Sequence, residues 1–116
     1  AEAPPAATQT DAPKVVSATP ASGATIPAGR FTLSVTYDRP MRRGSMSFAT
    51  GPDPAYPECH GKPAQSADGR TFSIACTARA GQSYIVWFNH GRYMNFRDAK
   101  TGAPATPHRM AFSARP

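Results

Sequence analysis

The stretch "LSVTYDRPM", residues 33–41, contains a strand and a defined end to that strand. Its first half alternates polar residues with three apolar ones: Leu33, Val35 and Tyr37. This period of two is typical of a half-buried β-strand. Pro40 has no backbone N–H and cannot continue a hydrogen-bonded ladder, so we expect the strand to end before it. Met41 keeps the inward parity of the apolar residues, and we expect it to fold back onto the core.

The rest of the 116-residue chain repeats this pattern of short apolar runs, separated by thirteen prolines and nine glycines. No stretch combines sustained helical periodicity with capping residues. Short strands between turn residues are typical of β-sandwiches. We therefore predict an all-β, immunoglobulin-like β-sandwich of about seven strands. The predicted strands cover residues 14–20, 31–37 and 45–49, the two arms of a hairpin over 58–76, and residues 83–89 and 108–114.

The two cysteines flank the predicted hairpin turn. Asp68-Gly69 is a strong signal for a tight turn, because both residues tolerate positive φ. Cys59 and Cys76 lie at nearly equal distances from this turn, so pairing of the arms can bring them opposite one another. We predict an intradomain disulfide, and with it an oxidising compartment, either periplasmic or extracellular.

The start of the chain differs in composition from the rest. Residues 1–13 are rich in Ala, Pro and Thr without periodicity, and we predict a flexible leader before a domain over 14–116. Such a leader is typical of a mature terminus left after removal of a signal peptide. No apolar run approaches the ~20 residues that a membrane-spanning helix needs.

The opening of the domain resembles the bacterial Ig-like domains typified by S-layer proteins. Those domains begin approximately apolar-apolar-x-Ser-x-Pro-x-x-Gly-Ala and continue to a strand that ends in Phe-x-x-Pro-Met. Tyr37 stands here in place of the usual Phe. The matching positions are Val15, Val16, Ser17, Pro20, Gly23, Ala24, Tyr37, Pro40 and Met41.

The second half resembles the same family. "SADGRTFSI" is similar to its central hairpin, "AGQSYIVWFN" to its Ala-Gly-x-x-Tyr strand, and "NFRDAKTGAP" to its Phe-x-Asp-x-x-Gly turn. The resemblance covers residues 13–114 and implies the sandwich fold. It does not name a function, because such domains serve as spacers, adhesive modules and accessory units. The cysteine pair and the aromatic segment 87–96 depart from the family pattern.

The chain is basic, with a formal net charge of +6. A basic surface favours anionic partners. Nucleic acid is not expected, because the arginines are spread over predicted loops and no recognition motif is present. Arg39, Arg42 and Arg43 follow the strand of the opening stretch, and we predict that they form an electrostatic patch in solvent at one end of the sandwich.

The chain carries no recognisable catalytic motif, and we predict neither an enzyme nor a cofactor. It has three histidines and lacks Gly-x-Ser-x-Gly, His-Glu-x-x-His and a phosphate-binding loop. One alternative function is an accessory domain of a larger envelope enzyme.

A periplasmic copper-binding carrier is the other alternative. The copper-resistance carriers share the sandwich topology and a similar Ser-x-Pro-x-x-Gly opening, but they hold copper partly through an N-terminal histidine, where this chain has Ala1. A blue-copper site needs Cys, His and Met close together, and Cys76 precedes His90 by fourteen residues. Surface histidines and gap-filling methionines are the favoured interpretation, so no metal is predicted. The residues available for a Cu(I) site are His60, His90, His108, Met46, Met94 and Met110.

The segment "SYIVWFN" suggests a binding surface. Alternation sends Tyr84, Val86 and Phe88 to one face and Trp87 to the other. If the first set faces the core, Trp87 faces outward unless the following loop covers it. We predict that the residues of this region bind a partner, namely Trp87, His90, Arg92 and Tyr93. The expected function is a non-enzymatic binding or structural module of the bacterial cell envelope, with an envelope protein as the first expected partner and an anionic glycan as the second.

Overall fold

The computed structural model describes residues 12–49, 57–90 and 94–116. In these ranges the chain forms β-strands and turns, with no helix. The strands are β1 (Val15–Thr19), β2 (Thr25–Ile26), β3 (Gly29–Tyr37), β4 (Phe48–Ala49), β5 (Glu58–Gln65), β6 (Thr71–Ala78), β7 (Ser83–Phe88) and β8 (His108–Ala114).

The strands form two four-stranded sheets that face each other. The first sheet has the order β1-β3-β6-β5, and the second has the order β2-β8-β7-β4. All pairings are antiparallel except that of β2 with β8, which is parallel. This arrangement confirms the predicted Ig-like sandwich. The main difference is β2, which lies within residues 21–30, between two predicted strands, where no strand was predicted.

The core lies between the sheets and follows the predicted alternation. Leu33, Val35 and Tyr37 are fully buried, and Met41 extends their row beyond the end of the strand with 2% of its surface exposed. Pro40 ends the strand, as expected. The facing residues of the second sheet are Tyr84, Val86, Phe88, Met110, Phe112 and Ala114.

The predicted disulfide is present. Cys59 on β5 is the register partner of Cys76 on β6, and the two form a disulfide with a Cα–Cα distance of 3.9 Å. The turn between these strands contains Asp68 and Gly69, and Gly69 has a φ of 78°. The Asp68 carboxylate accepts hydrogen bonds from the Ser66 hydroxyl and the Arg70 backbone N–H. The disulfide thus ties β5, an edge strand, to β6 in the interior of the same sheet.

The domain includes Pro13, one residue before the predicted boundary. Pro13 is fully buried, and its carbonyl accepts a hydrogen bond of 3.0 Å from the Thr106 N–H. The next residue, Lys14, donates its backbone N–H to the Asp38 carboxylate. Residues 1–11 of the predicted leader lie outside the described ranges.

Tyr37 carries a polar group into the core. Its hydroxyl is buried and has no hydrogen-bond partner among the described residues. Burial raises the pKa of this hydroxyl, so it stays protonated. An unpaired buried hydroxyl has lost its hydration without compensation, which destabilises the fold.

We expect Tyr37→Phe to raise the free energy of unfolding by about 1 kcal/mol, because it removes the unpaired hydroxyl and keeps the ring. Urea denaturation measures the change. Tyr84→Phe is the matched control, since the Tyr84 hydroxyl accepts a hydrogen bond of 2.7 Å from the Arg79 N–H. The control should lower stability, and a loss of stability in Tyr37→Phe would contradict the argument.

Candidate functional site

Asn89 organises the connection between β7 and β8. It has a φ of 69°, and its side chain is fully buried. The amide nitrogen donates to the carbonyls of Phe96 and Ala105, at 3.0 Å each. The amide oxygen accepts from the Phe96 N–H at 2.9 Å. One side chain therefore holds two parts of the connection against the end of β7.

The connection closes one end of the sandwich with an aromatic side chain. Phe96 is fully buried, and its ring contacts rings from both sheets. The centroid distances are 5.2 Å to Tyr37, 5.3 Å to Phe48, 4.9 Å to Phe72 and 6.3 Å to Phe88. Aromatic pairs at these separations add to the stabilisation from burial.

We expect Asn89→Gly to lower the free energy of unfolding by about 3 kcal/mol, because backbone groups of the buried connection lose their partners. Glycine tolerates the positive φ, so this variant separates the hydrogen bonds from backbone strain. Chemical denaturation measures the loss.

The control is Asn95→Gly, the same change at an exposed position whose side chain makes no hydrogen bond with a described residue. It should cost about 1 kcal/mol or less, the usual penalty of a glycine. Equal losses in the two variants would show that the Asn89 amide has no special role.

The Pro-Met motif at residues 40–41 and the turn motif that begins at Phe96, both of which resemble the family, lie side by side at this end of the sandwich. Met41, after β3, forms a β-bridge with Asp98 of the connection. The Arg42 N–H donates to the Arg97 carbonyl at 2.8 Å, and the Ala99 N–H donates to the Pro40 carbonyl at 3.2 Å. The chain after Pro40 therefore leaves its sheet and pairs with the connection.

Arg39 lies between two carboxylates. Its guanidinium is 3.0 Å from Asp38 and 3.3 Å from Asp98, and 22% of its side chain is exposed. Asp98 also accepts hydrogen bonds from the backbone N–H groups of Lys100 and Thr101. Two carboxylates of the fold therefore pair with Arg39, the first of the three residues of the predicted patch.

These contacts change the pKa values of the Asp38 and Asp98 carboxyl groups. Burial alone would raise the pKa of Asp38 and of Asp98, but it is outweighed in both. Hydrogen bonds and the charge of Arg39 lower the pKa of Asp38, with help from the Lys14 N–H. The N–H groups of Lys100 and Thr101 act with Arg39 to lower the pKa of Asp98. The folded state thus favours both charged forms.

Stability should fall in acid as these carboxylates are protonated. A pKa lowered by folding stabilises the protein fully above the ordinary value of 3.8, and this contribution is lost as the pH falls through the folded-state pKa. We expect Asp98→Asn to reduce stability at pH 7 and to flatten its dependence on pH below about 4. Thermal denaturation across pH measures both effects.

Glu58→Gln removes one carboxylate from an exposed position on the edge strand β5 and serves as the control. It should leave the acid limb of the stability curve close to that of the wild type. If the stability of Asp98→Asn falls in acid as steeply as that of the wild type, the Asp98 carboxylate does not contribute to the loss of stability in acid.

Of the other two residues of the predicted patch, Arg43 is hydrogen-bonded to the fold through its side chain, whereas Arg42 is bonded only through its backbone. Arg43 donates to the carbonyls of Ser66 and Ala67 in the β5–β6 turn, at 2.9 and 2.6 Å. The exposed Arg42 side chain makes no hydrogen bond or ion pair with a described residue. Whether the arginines act as an electrostatic patch stays a prediction.

Trp87 and His90 come together on the outer face of the second sheet. Trp87 points away from the core residues Val86 and Phe88 and is half-buried. The left-handed conformation of Asn89 breaks the strand alternation, and the His90 ring lies 4.5 Å from the Trp87 ring. The other two predicted partner-binding residues, Arg92 and Tyr93, lie outside the described ranges.

Sequence reasoning missed one residue of this surface. Arg109 on β8 is exposed and is the register partner of Trp87. The alternation of β8, in which Met110 and Phe112 are buried, predicts that the Arg109 side chain points outward. The register that places it beside Trp87 depends on tertiary structure.

The histidines do not converge on a metal site in the described ranges. No group of three or more His, Cys, Asp or Glu side chains that could hold a metal ion is found there. His60 lies on the first sheet, 3.0 Å from the Thr77 hydroxyl, and the His108 ring stacks on Phe88.

A search of the described residues for a long apolar helix that could span a membrane found none.

Comparison with known proteins agrees with the architecture and the paired motifs. Residues 9–114 match the family described as bacterial Ig-like domain. The chain therefore belongs to the bacterial Ig-like domain family. None of the curated proteins compared with the chain matches its sequence.

Proposed function

We propose that this domain is a non-enzymatic, exported binding module of the bacterial cell envelope, and that it binds a protein partner. Its contact surface is the part of the second sheet formed by Trp87, His90 and Arg109, here called the Trp87 face. The observation that carries the proposal is the outward position of Trp87 on a regular strand, beside a histidine ring and an arginine.

The Trp87 face has the composition of a protein-binding hot spot. Tryptophan and arginine are enriched at such positions, because a large ring buries much apolar area while the guanidinium supplies hydrogen bonds. The indole N–H of Trp87 donates to no described residue and is available to a partner. The contact between the two rings holds Trp87 in place and reduces the entropy lost on binding.

The export of the domain is supported by its disulfide. The bond between Cys59 and Cys76 joins paired strands inside the fold. Disulfides of this structural kind form and persist in oxidising compartments, namely the periplasm and the extracellular space. Membership of the bacterial Ig-like family is consistent with an envelope module.

Three of the acidic residues support the non-enzymatic part of the proposal, because they are used in ion pairs and hydrogen bonds of the fold. A general acid or base has to reach a substrate. Asp38 and Asp98 are bound to Arg39, and Asp68 is bound within its turn. The structure gives these three carboxylates other tasks.

The test is site-specific photo-crosslinking in the bacterium that produces the domain. Ser83 is exposed on the same side of β7 as Trp87, so p-benzoylphenylalanine at this position reports on a partner of the Trp87 face. We expect one cross-linked envelope protein, and we expect Trp87→Ala to abolish the product. Trp87→Ala should change the free energy of unfolding by less than about 1 kcal/mol, as for a surface substitution.

Val16 provides the matched control position. It is 62% exposed on β1 of the first sheet, so the same probe there should not trap this partner. The proposal fails if the product survives Trp87→Ala or forms equally from position 16. It also fails if Trp87→Ala unfolds the domain, because Trp87 would then belong to the core.

A further inference from the structure

Two guanidinium groups lie against the same glycine at the end of the sandwich. Arg97 Nη1 donates to the Gly102 carbonyl at 3.0 Å. Arg42 Nη2 lies 2.7 Å from the position that a Cβ atom on Gly102 would occupy. The missing side chain of Gly102 therefore leaves the space that the Arg42 guanidinium occupies, while the Arg97 guanidinium binds the carbonyl of the same residue.

A backbone hydrogen bond places Arg42 and Arg97 next to each other. The Arg42 N–H donates to the Arg97 carbonyl, so the two residues sit on adjacent extended segments. Lys100, exposed on the same turn, adds a third positive charge. The closest acid in sequence, Asp98, already accepts from two backbone N–H groups and from Arg39. Among the described residues, none of the three cations forms an ion pair with this carboxylate.

Like charges held close together repel each other, and a bound anion removes the repulsion. Guanidinium groups suit phosphate in particular, because their planar N–H donors match two phosphate oxygens at once. We propose that Arg42 and Arg97, with Lys100 beside them, form a binding site for the phosphate groups of a flexible, phosphate-bearing glycan or polyol polymer.

The surroundings favour a polymer over a single phosphate. Arg43 and Arg70 extend the positive charge from this site along the same end of the sandwich. Arg43 lies over the β5–β6 turn, and Arg70 Nη1 is 3.4 Å from the Asp38 carbonyl. Several spaced cations can contact successive phosphates of one chain, which strengthens binding beyond that of a monomer.

The chemistry of this end argues against nucleic acid. Single-stranded nucleic acid is held largely by aromatic rings that stack on its bases. The rings packed beneath these turns, Tyr37, Phe72 and Phe96, are fully buried and offer no such surface. A polyanion without bases needs only the guanidinium and ammonium groups.

The test uses isothermal titration calorimetry with a poly(glycerol phosphate) oligomer as the probe. Inorganic phosphate, an oligonucleotide with the same number of phosphates and anionic phospholipid vesicles form the other arms. We expect the oligomer to bind more tightly than each of them and to weaken as salt is raised. Tighter binding of the oligonucleotide or the vesicles, or equal binding of free phosphate, would overturn the proposal.

Arg42→Ala identifies the site without disturbing the fold, because the Arg42 side chain supports no described hydrogen bond. We expect it to weaken binding about tenfold, the loss of a charge-assisted hydrogen bond. Arg30→Ala is the matched control, since Arg30 is exposed at the other end of β3 and carries the same charge. Equal weakening by both would mean that net charge alone drives binding, and it would overturn the site.

The site and the Trp87 face can fail separately. Trp87→Ala should leave binding of the oligomer within about twofold of the wild type, as for independent sites. Loss of oligomer binding in Trp87→Ala would overturn the assignment to Arg42 and Arg97. Neither outcome decides whether the Trp87 face binds a protein, because the cross-linking experiment tests that proposal separately.

Discussion

The structure depends on a single buried amide. Asn89 ends β7 in a left-handed conformation, and its side chain bonds to the backbone of Phe96 and Ala105. Without these bonds, burial of Phe96 would leave backbone groups unpaired in an apolar interior, which is costly. With them, the connection can close the core, and the same left-handed residue brings His90 beside Trp87. Closure of the core and assembly of the Trp87 face therefore share one cause.

The basic end of the sandwich shows how a fold can use some charges and leave others to solvent. Arg39 is surrounded by Asp38 and Asp98, and Arg43 is attached to a neighbouring turn. These two arginines join three loops that approach from different parts of the sequence. Arg42 differs, because its neighbours are a glycine and another arginine. Structural and solvent-facing arginines thus alternate within five residues of chain, and this gives the end its positive surface.

Local sequence patterns were sufficient for much of the fold. The alternation of β3, the turn at Asp68-Gly69 and the disulfide were predicted, because each depends on residues close in sequence or on simple strand parity. The parallel pairing of β2 with β8 was not predictable in this way, because two residues carry no periodicity and their partners are distant in the chain. Of the candidate site, Trp87 and His90 were identified by parity and composition. Arg109 and the pairing of Arg39 were missed, because both depend on tertiary contacts.

The positions of Pro13 and Arg115 have a mechanical consequence. Pro13 is bonded to Thr106 beside the basic end, while the Arg115 carbonyl accepts from the Gly81 N–H at the opposite end. Tension applied between these two points runs along β1 and β8, roughly parallel to the strands. The inter-strand hydrogen bonds then lie across the direction of pull and are loaded together in shear, rather than opened one after another. Breaking many hydrogen bonds at once takes more force than breaking them singly, so this geometry favours resistance to extension along the strands.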